Sequence, residues 1–195
     1  MKEIAVPYRR GDPEALLIHL RRKVFHLTTL SAYRSILKAG KILHNKDGRF
    51  DLNMSSENSF GRLMGYVCLF DLRNDHPDII ESALSCYPFL GPHWFSRPKN
   101  GWMVSELAYL LLDPACLETT IPNSRAYDHC KATGMWHSYI PKVEVWMKGH
   151  VPLDWIDTVI LTKLTERAPA PNSHLGILRR IERQELKPMG GGRPG

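Results

Sequence analysis

None of the four cysteines, Cys68, Cys86, Cys116 and Cys130, forms a CxxC pair, and their spacing has no framework regularity. That excludes a disulfide-stapled scaffold and a zinc ribbon. No apolar run approaches the roughly 20 residues that a membrane helix needs, so no membrane partner is expected. The opening MKEIAVPYRRGDPEA has no apolar core of the signal-peptide kind, and a cytoplasmic location is the expectation. GxGxxG and GxxxxGK[ST] are both missing, which removes the two common phosphate cradles. GxSxG is missing too, and with it the nucleophile elbow of the α/β hydrolases. No internal repeat and no interdomain linker breaks the chain.

What is present is a chain of 195 residues, 43% hydrophobic and 24% charged, which suits one domain over 1–195 with an ordinary core. The net charge of +6 and the pI of about 9.2 lean toward a polyanionic partner, nucleic acid first. Among nine histidines, His129 and His137 flank Cys130 at short range, yet the spacing matches no zinc motif and no metal is expected.

Residues 1–13, with Pro7, Gly11 and Pro13, read as an irregular N-terminal arm. Glu14 to Arg22 reads as a short helix. VFHLTT (24–29) reads as a strand, followed by a helix from Ala32 to Ala39 that Ser31 caps and Gly40 stops. KILHN is a short strand. The polar stretch 45–62 reads as a long loop with little structure, and loops of that length tend to be functional or disordered. GYVCLFDL (65–72) and ELAYLLLD (106–113) read as buried strands, with a possible helix at 78–85 between them. After a connector at 114–135 with room for one helical turn come a strand within YIPKVEVWMKGHVP (139–152), a helical turn at VPLDWI and a strand at 157–163. A loop at 166–175, a basic helix LGILRRIERQELK and a flexible tail at 188–195 close the chain. Strands separated by long polar loops, with few helices, argue for an α+β fold.

Candidate chemistry follows from the polar residues at these elements. His26 sits in a strand end, where two ring nitrogens suit sugar hydroxyls; a packed histidine is the plainer reading. Arg49 and Arg62 bracket the polar loop, and a diphosphate needs such planar donors; Ser55, Ser56 and Ser59 add hydroxyls. Alternation around Glu144 puts Val143, Val145 and Met147 on one side, and Lys142, Glu144, Trp146 and Lys148 on the other. Glu144 therefore faces either solvent or a cleft, and facing the core it would need a partner. A carboxylate in a cleft stabilises the positive charge that develops when an N-glycosidic bond breaks, and it accepts a proton from an attacking group. Trp94, Phe95, Arg97, Lys99 and Trp102 mix aromatic and basic side chains, a combination suited either to a single nucleic-acid strand or to a lid.

Three stretches occur in one order: HLTTLSAYRSILKAGKI, GYVCLFDL and YIPKVEVWMKGHVPLDWI. Together they resemble the ADP-ribosyltransferases, in the branch of the DarT toxins, over residues 24 to about 162. The first stretch is shared in weaker form with NAD-dependent RNA 2′-phosphotransferases. YVCLFDLRND lacks the proline and second aromatic of that branch's strand, and PFLGPHWFSRPKNGW is only loosely similar to its substrate-side loop.

The resemblance implies a split β-sheet core around an NAD cleft, with short flanking helices. It implies NAD as the donor substrate and ADP-ribose transfer to a DNA or RNA base, with release of nicotinamide; a protein acceptor stays open beside the nucleic acid. His26 would meet the ribose of the nicotinamide half, and the backbone at Leu27 and Thr28 the carboxamide. Arg62, or else Arg49, would meet the phosphates beside Ser59. Tyr66 would line the nicotinamide pocket, and Glu144 would be the catalytic carboxylate. A neutralising antitoxin protein is a further implied partner. The alternatives are a 2′-phosphotransferase, or a nucleic-acid-binding domain on the same fold that does no chemistry.

Overall fold

The computed structural model describes residues 1–8, 14–50, 58–73, 90–92 and 95–167. The expected helices at 78–85 and 175–187, residues Ser55, Ser56 and Trp94, and the tail lie outside them.

Nine strands occur among the described residues: β1 (Lys2–Pro7), β2 (Val24–Thr29), β3 (Lys41–Leu43), β4 (Tyr66–Asp71), β5 (Arg97–Lys99), β6 (Trp102–Leu112), β7 (Glu144–Lys148), β8 (His150–Pro152) and β9 (Ile156–Arg167). Seven of them form one sheet in the order β1-β9-β6-β2-β4-β7, with β5 folded back on β6. Every pairing is antiparallel except β1 with β9. β3 and β8 form a separate two-stranded sheet. The helices are short: α1 (Glu14–Leu20), α2 (Leu30–Ala39), α3 (Phe60–Met64) and α4 (Ser124–Thr133). A mostly antiparallel sheet with few helices agrees with the α+β expectation.

The residues that form these elements show why they form. Leu16, Leu17 and Leu20 bury one stripe of α1 against the sheet. The Thr29 hydroxyl accepts the Ala32 N–H at 3.2 Å and caps α2, so the helix starts before the expected Ser31 cap. Gly40 ends α2 at φ 69°, a left-handed conformation that a residue without Cβ adopts freely. β6 is the spine of the sheet. Leu107, Tyr109 and Leu111 point to one core, and Ala108, Leu110 and Leu112 to the other, so both faces are covered.

Three expectations need correcting. Residues 2–7 are not an irregular arm: they pair with β9 over six positions, Lys2 with Thr158 through Pro7 with Lys163. Pro7 is tolerated because it ends an edge strand. The connector at 114–135 holds more than the one helical turn expected: a 3-10 turn, Pro114–Thr119, and the full helix α4. Within the polar stretch 45–62, residues 45–50 close locally, Asn45 donating to the Phe50 carbonyl and accepting the Phe50 N–H, and Phe60–Met64 is helical.

β2 and β4 pair at only two positions, Val24 with Asp71 and Phe25 with Phe70. β2 pairs with β6 at five, from Phe25 to Thr29. Past Phe25, the edge of β2 facing β4 has no strand partner among the described residues. The sheet therefore opens between β2 and β4, toward Thr29 and Tyr66.

Candidate functional site

The opening between β2 and β4 is bridged by the His26 side chain. The His26 ring donates from Nδ1 to the Cys68 carbonyl at 2.9 Å. A carbonyl only accepts, so the proton sits on Nδ1 and Nε2 keeps a bare lone pair. Burial lowers the His26 pKa below its ordinary 6.5, and the bond to Cys68 opposes this only in part. His26 is thus a neutral acceptor at its free nitrogen.

Cys68 also reaches the other way, donating from Sγ to Glu144 Oε1 at 3.3 Å. Alternation puts His26 on the face of Val24, and Cys68 and Glu144 on the face of Phe70. The imidazole and the carboxylate therefore come from opposite faces and meet through one residue of β4.

Glu144 does not look out to solvent. It is 3% exposed, and Val145, Trp146 and Met147 beside it are buried as well. The expected one-sided alternation fails because α3 and α4 cover what would be the outer face: Phe60, Ala126 and Trp146 pack there as a small core with Tyr66, Cys68 and Tyr139 against it. A buried carboxylate needs donors, and it has three. Trp146 Nε1 donates to Oε1 at 2.7 Å, Cys68 Sγ to the same oxygen, and the Ile140 N–H to Oε2 at 2.8 Å. The Ile140 contact depends on a turn in which Lys142 takes φ 70° and the Glu144 N–H returns to the Ile140 carbonyl at 3.1 Å. Of the approximately four acceptor sites of a carboxylate, the one that no described residue fills is on Oε2. Burial raises the Glu144 pKa above its ordinary 4.5, while the bonds from Ile140, Trp146 and Cys68 pull it back. The Cys68 thiol is pushed well up by burial and by the Glu144 charge, so it stays a donor.

Leu27 and Thr28 lie in β2 beyond the two β4 pairings, both half-buried. Tyr66 begins β4, half-buried, with its ring against Phe60 at 6.2 Å. Ser59 precedes α3 and bridges to Ser138. Of these, Tyr66 packs against the small core on which Glu144 sits, whereas Leu27 packs against the main core. Arg62 is half-buried and donates from Nε to the Asn45 carbonyl at 3.1 Å, which ties α3 to the closed turn. Arg49 is exposed on that turn and ion-paired with Asp47.

Sequence reasoning put Trp146 on a face of β7 that looks to solvent or a cleft and so missed its burial, and it missed Gly61, against which the indole lies. The signal was there in part: a buried carboxylate requires a donor, and Trp146 lies two places on, on the same face. Phe95, weighed as part of a nucleic-acid path, packs instead against the main core, whereas Arg97, Lys99 and Trp102 are exposed. The His129 and His137 rings lie 5.2 Å apart, but among the described residues no three His, Cys, Asp or Glu side chains converge as a metal group. No described helix is long and apolar enough to cross a membrane. No protein family, no curated protein and no solved structure matches this chain.

Proposed function

We propose that the chain is an NAD-dependent ADP-ribosyltransferase whose acceptor is a nucleic-acid base. The observation that carries this reading is the sheet opened between β2 and β4, where the Cys68 carbonyl accepts from a neutral His26 on one face and the Cys68 thiol donates to the buried Glu144 carboxylate on the other. The fit to a nicotinamide dinucleotide rests on the same features. The unpaired edge of β2 at Leu27 and Thr28 offers backbone donors and acceptors of the kind a carboxamide matches. His26 Nε2 is an acceptor suited to a ribose hydroxyl. Arg62, with Ser59, supplies the cationic and hydroxyl groups a diphosphate needs, and Tyr66 adds an aromatic wall beside Phe60.

When bound, NAD would supply the glycosidic bond that breaks, between ribose and nicotinamide. The chain's own task is electrostatic. Glu144 holds a fixed negative charge in surroundings poor in water, where it acts more strongly on nearby positive charge than it would in bulk solvent. Its three donors fix its direction without neutralising it. Oε2, with its unfilled acceptor site, is the atom to take the proton from the attacking group.

The test is incubation of the full chain with NAD and single-stranded DNA, RNA or 2′-phosphorylated RNA. Mass spectrometry then looks for added ADP-ribose, and chromatography for free nicotinamide. Glu144→Gln is the informative variant, because its amide oxygen still accepts from Trp146 and Cys68. Transfer should fall by about 100-fold or more, as on removal of one essential electrostatic group. A folded Glu144→Gln that transfers normally removes the basis of the proposal. Loss of the 2′-phosphate from the third substrate, without base modification, would replace it with the phosphotransferase reading.

A further inference from the structure

We propose that Trp146 is the positioning residue of the Glu144 carboxylate, and that Gly61 is the seat that allows it to act. The inference rests on the transferase reading for its consequence in catalysis, but the pairing itself does not.

Trp146 is fully buried and held from both sides of its strand. Its backbone exchanges bonds with Ile121 at 2.7 and 3.0 Å, and it pairs across β4 with Cys68. Its ring packs on Phe60 at 4.8 Å, and Tyr139 closes edge-on at 6.2 Å. The indole can occupy this place only because position 61 has no side chain. A Cβ on Gly61 would lie 2.5 Å from Cδ1 and 2.7 Å from Nε1 of the indole. The atom most closely threatened is therefore next to the one that bonds Glu144, and Nε1 itself is second. A tryptophan with one N–H donor, fixed at both backbone edges and across its face, leaves Oε1 a single direction in which to point. The other donor to that oxygen, the Cys68 thiol at 3.3 Å, is weaker and longer. Trp146 thus decides the rotamer of Glu144, and with it which oxygen keeps an open acceptor site. Helix α3 takes part in the site through Gly61 although no polar group of that residue reaches it.

The experiment labels the glutamate side-chain carboxyl carbons of the full chain and follows the Glu144 resonance by NMR across a pH series, without NAD. The wild type is compared with Trp146→Phe, Gly61→Ala and Cys68→Ala. Phenylalanine keeps an aromatic ring but removes the donor to the charged carboxylate. Alanine at 61 keeps the donor but displaces it. In both variants the Glu144 titration should move up by about one pH unit, and Cys68→Ala should move it less. The acid limb of the transfer rate should shift by the same amount, a readout that a merely structural role would leave in place. An unchanged Glu144 titration in a folded Trp146→Phe overturns the proposal. If that variant does not fold, an unchanged titration in Gly61→Ala does so. A shifted titration together with full transfer by Glu144→Gln supports the positioning role of Trp146 and rejects Glu144 as the catalytic carboxylate.

Discussion

Glu144 and His26 are both desolvated, yet their effects on stability run in opposite directions with pH. The folded pKa of Glu144 lies above its ordinary 4.5. Between the two values the native carboxyl keeps a proton that the unfolded chain has released, so stability is full at lower pH and falls as pH rises through that window. The folded pKa of His26 lies below its ordinary 6.5, so there the unfolded chain binds the extra proton, and stability is lost as pH falls through the window beneath 6.5. Comparing wild type with Glu144→Gln isolates the first effect, because His26 is common to both. Glutamine turns an N–H toward the Ile140 N–H, a pH-independent loss of about 1–3 kcal/mol. On top of that offset, the stability advantage of the wild type should shrink as pH rises from the ordinary glutamate range. Denaturant unfolding of both proteins across the acid range measures this. A difference that stays flat would mean that Glu144 titrates as an exposed glutamate does.

At the scale of elements, β1 shows how tertiary pairing overrides a local reading. Its sequence offers Pro7 and two charges in six residues, and nothing in that pattern indicates a strand. The strand exists because β9 presents a free edge, and because Val6 reaches the core while Tyr33 on α2 donates to Glu3. The two descriptions differ in what they tolerate. Val6→Asp would place an unpaired carboxylate among Tyr8, Leu16 and their neighbours, at an expected loss on the order of 3 kcal/mol. Ala5→Asp, on the exposed side of the same strand, should stay within about 1 kcal/mol. Equal unfolding midpoints for the two variants would restore the irregular arm. The buried strands β4, β6 and β9 were legible because their apolar content is strong and local. Helix α4 was not, since Ala126 is its one buried residue and its sequence is polar on most sides. The setting of Glu144 was half legible. Its need for a partner inside a core follows from charge alone, but which side of β7 is covered depends on α3 and α4, about 80 residues before it in one case and just upstream in the other. Local alternation carries no information on such distant packing.

For the whole molecule, charge and shape meet at the β5–β6 hairpin. Asn100 and Gly101 turn it with positive φ, and Arg97, Lys99 and Trp102 are exposed on it, Trp102 by 49%. Leu107 of β6 pairs with Thr29, at the end toward which the sheet opens. Trp102 lies five residues earlier in the same strand, so the hairpin reaches about 17 Å past that level at roughly 3.4 Å per residue. Under the proposed reading, that reach suits interactions with phosphates several nucleotides from the reacting base rather than with the base itself. The consequence is a division between binding and chemistry. Replacing both Arg97 and Lys99 by alanine should weaken single-strand binding and reduce the slope of log affinity against log salt by about 1.4, some 0.7 for each phosphate that is no longer neutralised. Trp102→Ala should weaken binding by about 1–3 kcal/mol, through loss of base stacking, and leave that slope unchanged. With nucleic acid saturating, neither change should alter the rate of nicotinamide release, because no group at the gap between β2 and β4 has been touched. Fluorescence titration with an oligonucleotide at several salt concentrations separates the two effects. An unaltered slope in the double variant would mean that the +6 charge of the chain engages its partner elsewhere.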